Sequence, residues 1–213
     1  MDVLHVLNRG VDKRKVFLDD SDRLRFIHDL FAFNDTASVP NYPQQKRHND
    51  RKRDRLVDIH AYALMPNHYH MLLSPVAENG IPLFIKKVNG GYSKYFNERY
   101  ERVGALWQGK YRRFVVARGA HGIYIPFYIH LNPLDLSHPQ WRQGKVARPK
   151  DALKALEKYR WSSHLDYLGV PNFPSVINTH LLKGDLSPRR SYEREIVSII
   201  TSGMRASESD VIE

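Results

Sequence analysis

Two apolar runs separated by three residues constrain this chain more than any other feature. Residues 57–64 (VDIHAYAL) and 68–74 (HYHMLLS) are joined by Met65-Pro66-Asn67. A connector that short between β-like runs predicts an antiparallel hairpin. Upstream, residues 3–9 (VLHVLNR) read as a strand stopped by Gly10. The segment 23–33 then places Leu24, Ile27, Leu30 and Phe31 on one helical face behind the N-cap signal Asp19-Asp20-Ser21-Asp22. Downstream, Pro82 suits a first helical turn. A helix is expected from there to about Tyr100, with Phe84, Val88, Tyr92, Tyr95 and Phe96 inward and Gly90-Gly91 marking a weak point or a close approach. Residues 110–117 (KYRRFVVA) predict a fourth strand and 123–132 a further helix.

The order strand, helix, strand, strand, helix, strand predicts an α+β fold: a ferredoxin-like βαββαβ antiparallel sheet, with an added helix and a helical C-terminal tail. Residues 1–135 are expected to form the main domain, with a polar loop over 35–56 inserted in it. Residues 136–213 are expected to be a loop-rich and helical extension packing on the same domain. One helix is anticipated over 149–168 and another over 188–202, the latter capped by Ser187.

Charge narrows the function. Lys and Arg exceed Asp and Glu by 33 to 23, a formal charge of +10, which favours a polyanionic partner through phosphate neutralisation. Residues 46–55 (KRHNDRKRDR) concentrate part of it, and read either as a solvated loop or as an arm for phosphates. The chain has no cysteine, which removes disulfides and thiolate metal sites. No apolar run approaches the roughly 18 residues of a membrane span, and the N-terminus lacks a secretory layout. A cytoplasmic protein is expected, nucleoid-associated when bound if its polyanion is DNA.

Two clusters could do chemistry. His68 and His70 alternate on the second hairpin strand, so both rings lie on one face and could converge on one ion; two unrelated strand histidines are the plain alternative. Tyr128 and Asn132 stand one helical turn apart, so a phenol and an amide share a face. The plain alternative there is a half-buried aromatic and a helix C-terminal cap before Pro133. Lys110, Arg112 and Arg113, with Trp107 and Tyr111, would form a basic-aromatic track for single-stranded DNA or, alternatively, a solvated edge strand. His60 reads as a satisfied sheet histidine or a supporting residue. His130 is given no role.

Taken in order, several motifs resemble the REP-associated tyrosine transposases, a branch of the single-tyrosine HUH (His-hydrophobic-His) nuclease superfamily. They are Asn8-Arg9-Gly10; Ala63-Leu64-Met65-Pro66-Asn67-His68-Tyr69-His70-Met71-Leu72; Ser93-Lys94-Tyr95-Phe96-Asn97; Leu106-Trp107-Gln108-Gly109-Lys110-Tyr111; the run from Tyr128 to Pro133; and Trp161-Ser162-Ser163-His164. The resemblance implies cleavage and rejoining of single-stranded DNA at hairpin-forming repeats. Tyr128 would be the nucleophile, and His68, His70 and Asn132 the ligands of a divalent Mg or Mn ion. Arg9 and Lys94 would join the DNA contacts, and the protein would act as a monomer or homodimer. A catalytically inactive hairpin-binding protein is the alternative.

Two features depart from the family pattern. Pro126 precedes the candidate nucleophile by two residues, where proline inside a helix costs about 3 kcal/mol. Either the helix starts near Pro126 or a kink shifts Tyr128. The basic insert before Val57 is also longer than the family suggests.

Overall fold

The computed structural model describes residues 2–37, 53–116, 120–179 and 189–203. Four strands form one antiparallel sheet: β1 (Val3–Arg9), β2 (Val57–Met65), β3 (His68–Pro75) and β4 (Arg112–Val116). Their order across the sheet is β2-β3-β1-β4. The anticipated hairpin is β2–β3, with Met65 paired to His68 and Ala63 to His70. β1 pairs with β3 on one side, Leu7 opposite His70 and Arg9 opposite His68, and with β4 on the other. This is the expected ferredoxin-like arrangement.

Because side chains alternate along a strand, the sheet has two distinct faces. Val6, Tyr62, Leu64, Tyr69 and Met71 lie in one core with α1 (Asp20–Ala32) and α2 (Gly80–Arg99). The Asp19 side chain accepts from the backbone amide of Asp22 at 3.0 Å, which starts α1 where the acidic run predicted a cap. Gly91 is where α2 passes the end of α1: a Cβ there would lie 2.4 Å from the Phe33 ring. Gly90 meets no such neighbour, so only the second glycine of the pair marks a close approach.

On the other face, Ala61, Ala63 and Leu72 meet α3 (Ala120–Leu131). Tyr124, Ile125, Phe127, Tyr128, Ile129 and Leu131 are all buried. A helix apolar on every side must be covered on every side. The sheet covers one side and the C-terminal extension the other. A short 3-10 turn at Asn132–Leu136 leads into that extension, which comprises a second at Pro139–Gln143, then α4 (Pro149–Lys158), α5 (His164–Tyr167) and α6 (Arg189–Ser202). Trp141, Leu156, Tyr192 and Ile196 from these elements share the α3 core.

Two expectations need correction. The helix anticipated over 149–168 is broken after Lys158, because the intervening residues cross the edge of β2. The amide of Leu64 donates to the Trp161 carbonyl, and Ser162 bridges Ala63. Sheet pairing there replaces a helical turn. The helix carrying Tyr128 does not start near Pro126 but at Ala120. The insert at 38–52, the cap at Ser187 and Pro188 lie outside the described residues.

Candidate active site

The alternation of β3 puts His68 and His70 on the α3 face, their ring centroids 4.9 Å apart. Each is oriented through its Nδ1. The His68 Nδ1 donates to Asn67 Oδ1 at 2.6 Å. The amide of Asn67 is itself fixed, since its Nδ2 donates to the Lys13 carbonyl at 3.1 Å. With the proton on Nδ1, the Nε2 lone pair of His68 is free. The Nδ1 of His70 is hydrogen-bonded to His5 Nε2 at 2.9 Å, the two rings stacked at 5.2 Å. His5 is fully buried on β1, and its own Nδ1 has no hydrogen-bond partner.

Burial keeps all three imidazoles uncharged at neutral pH. It pushes His68 down to about 4, helped by the positive charge of Arg9. It pushes His5 to about 4, and His70 well below its ordinary range, with His5 and His68 adding to the effect. Uncharged imidazoles are the form that ligates metals. Two such rings, held through Nδ1 by neighbouring side chains, fit a divalent ion better than two stray surface histidines would.

Tyr128 lies on the same face of the sheet. Its ring meets His70 edge-on at 5.6 Å and His5 at 5.9 Å. Burial pushes its phenol above the ordinary tyrosine range, against the pull of Arg142, whose charge and side-chain hydrogen bond favour the ionised form. The Arg142 guanidinium stands 5.1 Å from the Tyr128 ring and 4.5 Å from Trp141. Asn132 is buried one turn on from Tyr128. Its Nδ2 donates to the Tyr128 carbonyl at 2.8 Å, and its Oδ1 accepts from Arg142 at 3.2 Å.

One cleft of about 670 Å³ is lined by His68, His70, Tyr128, Asn132, Asp135 and Arg142 together with Arg9, Lys110 and Arg112. Other anticipated DNA contacts fall elsewhere. Trp107 is buried against Phe26, Tyr69 and Tyr92, and its indole nitrogen donates to the Asn89 carbonyl. Tyr111 packs at the edge of that same core. Arg113, opposite Val6, faces away from the histidines. Lys94 sits exposed on α2, within 3.8 Å of Glu98. His60 bonds Ser74 and the Asn178 carbonyl across a register shift in β2. Among the described residues, no group of three or more His, Cys, Asp or Glu side chains has a metal-binding arrangement. Any ion here would rest on two imidazoles and neutral or solvent oxygen.

Sequence reasoning missed His5, Arg142 and the true surroundings of His130. The period of β1 offered one clue, since His5, Leu7 and Arg9 alternate onto one face. Nothing in the local sequence announces Arg142. His130 proves fully buried, its Nε2 bonded to Ser163 Oγ at 2.7 Å and its Nδ1 to the Tyr192 hydroxyl at 2.8 Å. The same hydroxyl meets His164 Nδ1 at 2.9 Å. The helix bearing Tyr128 is thereby tied to the 162–164 segment and to α6.

Residues 45–132 match the IS200-like transposase family. The match runs from the basic insert to Asn132. It contains both histidines of β3, Tyr128 and the amide one turn later, and leaves out β1, α1 and the extension. The likeness to tyrosine transposases read from the motifs thus holds for the segment bearing the candidate active site. A solved structure entitled "Structure of the REP associates tyrosine transposase bound to a REP hairpin" is similar at 12% identity, covering 88% of this chain and 87% of that one, with a TM-score of 0.46. No curated protein matches. Outside the IS200-like segment, no described helix is long and apolar enough to cross a membrane, nor is any within it.

Proposed function

We propose that this protein cuts and rejoins single-stranded DNA at hairpin-forming repeats, through a covalent 5′-phosphotyrosine on Tyr128. The observation that carries this reading is the packing of Tyr128 against His70, 5.6 Å between rings, in a cleft also lined by His68, Asn132, Arg9, Lys110 and Arg112. The IS200-like match over the same residues supports it.

A free phenol, with a pKa of about 10, is a weak nucleophile at neutral pH. In the proposed step, the Tyr128 oxygen bonds to phosphorus as the phosphorus–O3′ bond breaks. The electron pair leaves with O3′, which takes a proton from solvent while the phenol loses its own. Because one phosphoester replaces another, rejoining requires no nucleotide cofactor. His68 and His70, through Nε2, and Asn132 would hold a magnesium or manganese ion, which supplies charge neutralisation at the non-bridging phosphate oxygens when bound. Arg9, Lys110 and Arg112 would carry the strand by its phosphates. The protein would act as a monomer or homodimer, in the cytoplasm.

The test is a labelled single-stranded hairpin incubated with protein and manganese. A protein–DNA adduct that survives SDS is expected with the native chain and none with Tyr128→Phe. Equal adduct from the variant would exclude Tyr128. Salt-sensitive hairpin binding without any adduct would leave only a binding module.

A further inference from the structure

Arg142 belongs to the extension, beyond the IS200-like segment, yet it lines the same cleft as the histidines and Tyr128. The arrangement is built rather than incidental. Arg142 Nη2 donates to Asp135 Oδ2 at 2.8 Å and to Asn132 Oδ1 at 3.2 Å. The other oxygen of Asp135 accepts from the indole nitrogen of Trp141 at 2.6 Å, and Trp141 is fully buried. The turn that carries both residues is clamped by α6: a Cβ on Gly144 would lie 2.1 Å from the Gly203 amide, and the Val146 amide donates to the Ile200 carbonyl. Two bonds from one nitrogen leave Nη1 and Nε of the fork for other acceptors. The guanidinium carbon lies 5.1 Å from the Tyr128 ring, and its charge favours the ionised phenol.

We infer that Arg142 is a catalytic residue, a fixed guanidinium that contacts the Tyr128 oxygen and a non-bridging oxygen of the phosphate it attacks. The inference rests on the strand-cleaving reading above. As the bond to phosphorus forms and the bond to O3′ breaks, negative charge passes from the phenol oxygen across the phosphoryl group. A planar cation already in place meets that charge with no reorganisation. Lysine, a point charge on a flexible stem, cannot reproduce the fork. Asp135, which holds Arg142 in place without touching the reacting atoms, is a positioning residue.

Single-turnover adduct formation on the labelled hairpin, with manganese and the full chain, tests this. Hairpin affinity is measured in parallel on the Tyr128→Phe background, where no cleavage intrudes. Arg142→Ala and Arg142→Gln should each slow the adduct about 100-fold or more while hairpin affinity stays within about threefold. Arg142→Lys should recover only a small part of the rate. Millimolar guanidinium ion should partly restore Arg142→Ala, an effect that a merely structural loss does not show. Adduct formation by Arg142→Ala within threefold of the native rate would overturn the inference and leave the cleavage reading standing. An equal loss of affinity and rate, with no rescue, would also overturn it, making Arg142 a strand anchor. Absence of adduct from the native chain would remove the cleavage reading, and this inference with it.

Discussion

At the scale of single residues, the site depends on neighbours that set tautomers. Asn67 dictates the proton position on His68, and His5 meets the corresponding nitrogen of His70. Such outer partners are worth about 10- to 100-fold in metal affinity where they have been removed. His5→Phe keeps a flat ring stacked on His70 but deletes the hydrogen bond. Manganese affinity, read by the paramagnetic signal of the free ion, should weaken about tenfold, with thermal stability little changed. Unaltered affinity would show that His70 needs no such partner. The β3 histidines, Tyr128 and Asn132 were legible in the sequence because period and one-turn spacing are local properties. His5 and Arg142 were not. One reaches the site through the pairing of β1 with β3, and the other through a turn held by α6.

At the scale of elements, the same distinction holds. β1, α1, the β2–β3 hairpin and α2 were readable from local pattern, each with a cap, a glycine or a tight connector at its end. The break after Lys158 was not, since the residues that end that helix do so by pairing with β2. Pro126 does not mark the start of its helix, which extends six residues upstream and begins at Ala120. What holds α3 in place lies three to four residues beyond that proline, where Ile129 packs into the core and His130 joins Ser163 and Tyr192. The hydroxyl of Tyr192 serves two buried imidazoles at once. Tyr192→Phe leaves both nitrogens without that partner, and should destabilise the protein by about 1–3 kcal/mol, measurable as a lower urea midpoint at unchanged slope. A midpoint equal to that of the native chain would mean water replaces the hydroxyl.

At the scale of the whole molecule, buried uncharged histidines make the fold acid-sensitive. Burial pushes His164 down to about 3 and His5 to about 4, against about 6.5 in an unfolded chain. The unfolded state therefore binds more protons between those limits, and stability falls as pH drops through 6.5. It is complete above that value. From pH 7 to pH 5 each such histidine gives up about 2 kcal/mol, a sizeable share of the roughly 5–15 kcal/mol typical of a domain. Urea melts without added metal should show this loss, with a shallower pH dependence in His164→Gln. A flat profile down to pH 5 would mean these imidazoles are charged in the fold.

The division of the sheet into two separately packed faces has a practical corollary. None of the residues in the core beneath α1 and α2 itself lines the cleft, whereas Tyr128 of the core under α3 does. Laboratory evolution for durability can therefore work on one side and evolution for altered strand selectivity on the other, with little trade between the two campaigns.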